Sequence, residues 1–307
     1  MSVLHKFKTV IKSPLRSLRK IIIDNSKYIS NDKLYLSLVY FLSHKRRMHW
    51  KNPRTFNEKI NWLKLWSKDK GFERYVDKYE VRKFVREKIG DEYLIPLLGV
   101  WDSFEEIDFA SLPKDYVLKT THDSGGIWII KDGKCPDGLE AEITKRMKVN
   151  FFYKGREHAY KNIVPKIIAE QFMIDESGND LKDYKFFCFN GESKFLYIAS
   201  ERFKKKGTPP NFDFFDLNLV RLPFNSKRHR HAFKPGEQYP VIPGFNRMIE
   251  IANKLSKGFP FVRVDLYNIL GKIYFGEMTF YHEDGLDPLD PYEWDKNLGD
   301  MIILPKI

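Results

Sequence analysis

The 307-residue chain is 42% hydrophobic and 15% aromatic and carries a formal net charge of +12. That length and apolar content suffice for one large domain or two to three subdomains around real cores, and they exclude a disordered, low-complexity or collagen-like chain. Two isolated cysteines, Cys135 and Cys188, exclude a disulfide framework or zinc site and fit the cytoplasm, and the longest apolar stretch, Leu34 to Leu42, contains Ser37 and is too short to cross a bilayer.

The charge implies attraction to anions: nucleic acid, acidic lipid or an acidic substrate. It is dense at the start, where residues 1–23 hold Lys6, Lys8, Lys12, Arg16, Arg19 and Lys20 and no acidic residue. Leu4, Phe7, Ile11, Leu15, Leu18 and Ile22 recur between them at helical spacing, without the uninterrupted apolar core of a signal peptide. Such a segment suits peripheral contact with an anionic membrane. Alternatively the stripe packs on the domain, with Ser13-Pro14 opening a second helix.

From residue 27 to about 110 the pattern is mainly helical. Phe56, Ile60, Leu63 and Trp66 share one face of a helix that Thr55 or Asn57 caps, and a second helix runs from Asp77 to Lys88 and stops at Gly90. Residues 93–101 read as extended. After Leu112-Pro113 strands dominate. Tyr116–Thr121 and Gly126–Lys131 flank the loop His122-Asp-Ser-Gly125, a helix from about Leu139 to Val149 follows, and Lys166–Met173 is a strand. Asp183–Phe189 and Lys194–Ser200 form a hairpin turning at Asn190-Gly191, and Phe245, Met248, Ile249, Ala252 and Leu255 mark one more helix. The order implies an α+β fold: a mainly helical region 1–112, then two α+β units at 113–173 and 174–307.

Several side chains stand out chemically. Lys119 and the Ser124-Gly125-Gly126 turn offer a cation, a hydroxyl and approachable backbone N–H groups to phosphate, or form a plain hairpin turn, and the spacing is not that of a Walker loop. Glu170, in an apolar run, needs a partner, either an adenine amino group or Lys161 or Lys166. Asp183 and Lys185 share a strand face, as a surface pair if nothing else meets them. Lys204–Lys206 and Arg228-His-Arg-His231 read as exposed loops. No metal-type histidine spacing, serine elbow or Rossmann glycine triplet occurs.

The densest chemistry lies in Phe261–Phe280. Val262, Val264 and Leu266 alternate with Phe261, Arg263, Asp265 and Tyr267, so a β-hairpin here has one apolar and one charged face. A three-residue loop, Ile269-Leu270-Gly271, sets Arg263 across from Glu277, with Asp265 diagonal and Thr279 nearby. Two carboxylates beside an arginine suit Mg²⁺ and phosphate chemistry; the alternative is a cross-strand salt bridge on a solvated face.

In sequence order, Asp77-Lys78, Ile95–Val100, Val117-Leu-Lys-Thr120 with Ser124-Gly-Gly126, Ile168-Ala-Glu-Gln171, Asp183-Tyr-Lys-Phe186 with Asn190-Gly191, and Arg263-Val-Asp265 with Gly276-Glu-Met-Thr279 resemble the TupA-like ATP-grasp family, associated with teichuronopeptide and capsule polysaccharide synthesis. The resemblance runs from about residue 50 to the C-terminus and implies an ATP-grasp fold, two α+β subdomains gripping ATP. It implies that Lys78 and Lys119 reach the nucleotide phosphates and that Ser124, Gly125 and Gly126 form a loop over them. Glu170 would lie at the adenine hinge, with Gln171 and Phe172 offering backbone groups to the base. Asp183 would bind ribose, and Lys185 would face the phosphates or the acceptor. Asp265 and Glu277 would hold Mg²⁺, and Arg263 would stabilise charge on the acyl group. Thr279 departs from the asparagine of the general pattern, where a hydroxyl can still meet Mg²⁺ or a phosphate oxygen.

The implied activity is a cytoplasmic ATP- and Mg²⁺-dependent carboxylate–amine ligase, joining an amino acid or amine to an acidic sugar or polysaccharide acceptor, with no nucleic acid partner. Rival readings are a sugar or polysaccharide kinase, a glycosyltransferase-like enzyme using Asp213-Phe-Phe-Asp216 or Asp287-Pro-Leu-Asp290, and a non-catalytic polyanion-binding protein.

Overall fold

The computed structural model describes residues 14–176, 178, 181–200, 210–227 and 229–306. Lys6, Lys8, Lys12, Lys204–Lys206 and Arg228, noted above as basic clusters, lie outside them.

The helical region begins with α1 (Pro14–Asp24) and α2 (Asp32–His44), followed by α3 (Phe56–Trp66), a single turn α4 (Glu73–Val76) and α5 (Val81–Lys88). Thr55 and Glu58 close a capping box at the start of α3, a device worth about 1 kcal/mol. The helix expected from Asp77 starts four residues later, because the Asp77 carboxylate turns back to accept the N–H groups of Tyr79 and Glu80 at 2.7 and 2.9 Å. That side-chain turn competes with helical hydrogen bonding.

A four-stranded antiparallel sheet follows, from β1 (Leu97–Trp101), β2 (Tyr116–Thr120), β3 (Ile127–Ile130) and, after α6 (Leu139–Met147) and α7 (Phe152–Gly155), β4 (Ile167–Gln171), in the order β1-β4-β2-β3. Its edge strand β1 comes from within the first 112 residues, so the sheet reaches back past Leu112-Pro113. Tyr116, Leu118, Ile167 and Ala169 pack under Ile143 of α6, and the alternate residues Val117, Lys119 and Glu170 face a cleft.

The larger sheet runs β10-β9-β5-β6-β7: β5 (Asp183–Phe189), β6 (Glu192–Ser200), β7 (Asn211–Asp216), β9 (Phe261–Ile269) and β10 (Lys272–Thr279), with the short β8 (Asn225–Ser226) and β11 (Leu289–Asp290) paired outside it. Asn190-Gly191 makes the β5–β6 turn with φ of 53° and 88°. Period-two alternation divides this sheet's labour. Val262, Val264, Leu266, Phe186 and Cys188 lie on the face covered by α8 (Phe245–Ser256), and Cys188 approaches the Ala252 carbonyl. On the other face Phe187, Phe189 and Phe261 gather around Phe56 of α3 at ring separations of 5.0–6.4 Å, and Arg263, Asp265, Lys185 and Asp183 continue towards the cleft. A last helix, α9 (Glu293–Asp300), packs on α3.

Candidate active site

β9 and β10 join through a two-residue turn, Leu270-Gly271, with φ of 52° and 89°, so Ile269 pairs with Lys272. The three-residue loop, and the Arg263–Glu277 pairing it carried, are thereby corrected: Glu277 lies opposite Asp265, and Thr279 opposite Arg263. A two-residue turn alone would send Glu277 to the far face. Gly276 prevents this as the extra residue of a β-bulge between Phe275 and Glu277. A Cβ on Gly276 would stand 3.0 Å from the Asp265 carbonyl oxygen, so the bulge favours glycine.

The guanidinium of Arg263 organises the charged face. It donates to both carboxylate oxygens of Asp265 at 2.7 Å, to Glu277 Oε1 at 2.9 Å, to Thr279 Oγ1 at 2.9 Å and to His282 Nδ1 at 3.0 Å. Lys185 donates to Asp265 Oδ2 and lies 3.4 Å from Asp183. Neither a solvated salt bridge nor a surface pair describes this group: Arg263 is 6% exposed, Asp265 0%, Lys185 9% and Asp183 2%. Burial raises the Asp265 carboxyl, but Arg263 and Lys185 outweigh it and hold the pKa below the ordinary range. Burial opposes the charge on Lys185 too, and Asp183 and Asp265 reverse that, raising its pKa.

This face forms one wall of a cavity of about 410 Å³. Lys119 and the β2–β3 loop residues Ser124 and Gly125 enter it from the small sheet, and Lys78 from the turn between α4 and α5, opposite Glu277 and Arg263. Lys78 donates to the carbonyls of Thr120, at 2.8 Å, and Asp123, and Lys119 donates to Glu170 Oε2 at 2.5 Å. Burial lowers the pKa of Lys78, with Asp123 and Glu277 opposing it. For Lys119 the Glu170 charge overcomes burial and raises it. Beyond Lys119 and Tyr267, which line both, the cleft opens into an apolar chamber of about 310 Å³ walled by Ile95, Val117, Ile129 and Phe172. An apolar slot continuous with a cationic, acid-edged chamber suits an aromatic base joined to phosphates.

The family model for TupA-like ATP-grasp proteins matches residues 58–303. The chain belongs to the TupA-like ATP-grasp family. Solved structures similar to it include the D-alanine–D-alanine ligase from Bacillus anthracis complexed with ATP, at 14% identity and TM-score 0.37, covering 68% of this chain and 54% of that one. The ATP-grasp ligase PsnB complexed with minimal precursor, Mg and ADP gives 11% identity and TM-score 0.38, covering 80% and 64%. A RimK domain ATP-grasp protein from Sphaerobacter thermophilus gives 10% identity and TM-score 0.39, covering 75% and 67%. The chain thus spans little more than half the length of the first of these. No curated protein gives a significant sequence match.

In this TupA-like ATP-grasp chain the cleft gathers Lys78, Lys119, Ser124, Gly125, Asp183, Lys185, Arg263, Glu277 and Thr279 around one cavity, with Asp265 directly behind Arg263 and Lys185. Glu170, Gln171 and Phe172 line the apolar chamber. Gly126 sits apart: a Cβ there would fall 1.8 Å from Thr120 Oγ1, so its part is to let the loop pass close to β2. Glu170 meets neither Lys161 nor Lys166; Lys119 and Arg82, at 3.0 Å, are its partners, and Lys166 turns to Asp102. The Gln171 N–H is spent on the Pro96 carbonyl at 3.0 Å, so that group is not offered to a base. Asp213 is buried against Arg221 and accepts the N–H groups of Ala232 and Phe233, while Asp216 caps its own turn. Both aspartates of that pattern are structural.

Three contributors escaped the sequence. Arg82 falls at helical spacing with Val85 and Ile89, and a charge in an apolar stripe was the available signal. Arg146 of α6 pairs with Asp123 and donates to the Ser124 carbonyl at 2.5 Å, pinning the glycine loop. His282 lies among Phe56, Phe187 and Tyr197 and accepts from Arg263.

Among the described residues no group of three or more His, Cys, Asp or Glu is arranged to hold a metal. The donor set nevertheless fits Mg²⁺, which takes one or two carboxylates together with phosphate and water oxygens. Glu277 is the accessible ligand: its side chain is 46% exposed, and both hydrogen bonds it accepts here fall on Oε1.

Burial and the neighbouring Arg263 charge push the His282 pKa down to about 3. Unfolded, the ring titrates near its ordinary 6.5, so protons favour the unfolded chain first. Its contribution to stability is complete above that pH and is lost at up to about 1.4 kcal/mol per pH unit as acid approaches the folded value. His282→Gln is expected to flatten this acid limb, read as the slope of unfolding free energy against pH.

Proposed function

We propose that the chain is an ATP- and Mg²⁺-dependent ligase that activates a carboxylate as an acyl phosphate and joins it to an amine, on a uronic acid or amino acid component of a bacterial surface polysaccharide. One observation carries the reaction class: Lys119 from the small sheet and Lys78 from the turn between α4 and α5 meet Arg263, Glu277 and Thr279 from the large sheet in one cavity. Phosphoryl transfer asks for neutralised charge and fixed positions rather than a protein nucleophile. Lys78 and Lys119 bind phosphate oxygens, the latter exchanging part of its pairing with Glu170. Arg263, locked by Asp265, presents a preorganised positive charge to the group in transit. Mg²⁺, held by Glu277 with Thr279 beside it, would neutralise and orient the phosphates; Asp265, expected from the sequence as a second ligand, is buried with both oxygens engaged by Arg263 and Lys185 and acts by positioning them. The polysaccharide component rests on the family's association alone.

Thermal unfolding of the wild type and Glu277→Ala, each with and without ATP and Mg²⁺, tests the reading. Ligand at about 100 times its dissociation constant adds about 2.7 kcal/mol, so the wild-type midpoint is expected to rise only when both are present and Glu277→Ala to lose the rise. A wild type indifferent to nucleotide would remove the ligase and kinase readings together.

A further inference from the structure

Residues 1–54 contain thirteen lysines and arginines against two aspartates, so eleven of the chain's twelve net positive charges precede the family module that starts at residue 58. The catalytic body is almost neutral. Where the structure describes this leading segment, its apolar residues divide into two sets. Tyr35, Leu36, Val39 and Tyr40 of α2 are buried against the body with Leu286. On the opposite face of α2, Leu34, Leu38 and Phe41 repeat at i, i+4 and i+7 and are 52%, 38% and 46% exposed. The helix α1 has no buried residue; it leans on α2 through Ile22 and Ile23 and leaves Leu15, Leu18 and Ile21 exposed. Arg16, Lys20, Lys27, Lys33, Lys45 and Arg47 are exposed on the same segment, while Arg46 lies over the Tyr292 ring at 3.7 Å.

The pair is anchored beside the cavity. Buried Arg156 donates to the carbonyls of Ser26 and Ile29 at 2.7 and 2.6 Å and pairs with Asp32 at 2.8 Å, and the Tyr35 hydroxyl donates to the Lys154 carbonyl at 2.6 Å. Lys154 and Glu157 line the charged chamber.

We propose that the α1–α2 pair docks the protein on the surface of an anionic lipid bilayer. The exposed leucines, isoleucine and phenylalanine would enter the headgroup boundary while the surrounding lysines and arginines meet lipid phosphates. The exposed apolar faces select a bilayer over a soluble polyanion. A nucleic acid or acidic glycan engages the charges alone and leaves the apolar faces in water, whereas a bilayer satisfies both. No helix among the described residues is long and apolar enough to cross a membrane, so the pair lies on the surface instead.

The test is sedimentation of the full chain with vesicles of phosphatidylcholine alone and of phosphatidylcholine mixed with phosphatidylglycerol. The wild type is expected to sediment with the mixed vesicles only. The triple variant Leu18→Ser, Leu38→Ser, Phe41→Ser and the double variant Lys20→Glu, Lys33→Glu should each bind at least about tenfold more weakly with unchanged unliganded melting. Because the proposal does not depend on the ligase reading, Glu277→Ala should bind as the wild type does. No binding to mixed vesicles overturns it. So does a serine variant that still binds them fully, which would mark a site for charge alone. A lipid-free dimer that the serine substitutions dissociate, without vesicle binding, would show that a second copy covers the face.

Discussion

Arg263→Lys is expected to lower the rate of ADP release by about 10²–10³-fold while leaving the Mg²⁺-dependent thermal shift with ATP in place. Lysine keeps the charge but not the planar fork. One ammonium cannot serve both oxygens of Asp265, Glu277, Thr279 and His282, all of which Arg263 reaches at 2.7–3.0 Å. The positive charge would survive and its position would not, and a group whose task is to meet developing charge loses most of its effect when it must reorganise. The measurement is steady-state ADP release over a panel of amino acid and uronic acid pairs, with melting under the same nucleotide. If the thermal shift disappears along with the rate, Arg263 serves to hold the metal-binding hairpin together and not to stabilise the transferring group.

Arg221→Met should cost about 3–5 kcal/mol of stability without abolishing the nucleotide-dependent shift. Arg221 is 2% exposed and faces Asp213, also 2% exposed. Its guanidinium donates to Asp213 at 3.2 Å, to the carbonyls of Leu222 and Phe224 and to Asn225. Methionine fills similar volume, so the loss comes from a buried carboxylate left with the N–H groups of Ala232 and Phe233 and with His231 Nδ1 at 3.8 Å in place of its guanidinium. Urea denaturation gives the magnitude. A fully stable variant that loses activity would return Asp213 and its neighbours to the candidates for chemistry.

Local structure was largely legible because its causes are local. The helix Phe56–Trp66, the Asn190-Gly191 turn and the alternation through Val262, Val264 and Leu266 follow from side-chain periodicity and turn chemistry within a few residues. The charged hairpin face was legible in the alternation of residues 261–267, and its register was not. The turn is one residue shorter than expected, and the Gly276 bulge restores the lost residue farther along; two local errors of opposite sign keep Glu277 on the right face. Glu170 shows a different limit. That it needed a partner was evident from its apolar run, but its partners lie 51 and 88 residues away, on β2 and α5.

The sequence by itself determined the order of the elements, the family, the concentration of positive charge in the first 54 residues and which residue types could bind phosphate and Mg²⁺. Only the tertiary structure decided which of those charges are buried together. It tied Lys185 and Arg263 to Asp265, made Asp213 a structural anchor and left the α1–α2 face exposed. The reason is physical: periodicity and turns depend on hydrogen bonds between near neighbours, whereas the state of a charge depends on how much water is removed from it and which opposite charge a distant strand delivers.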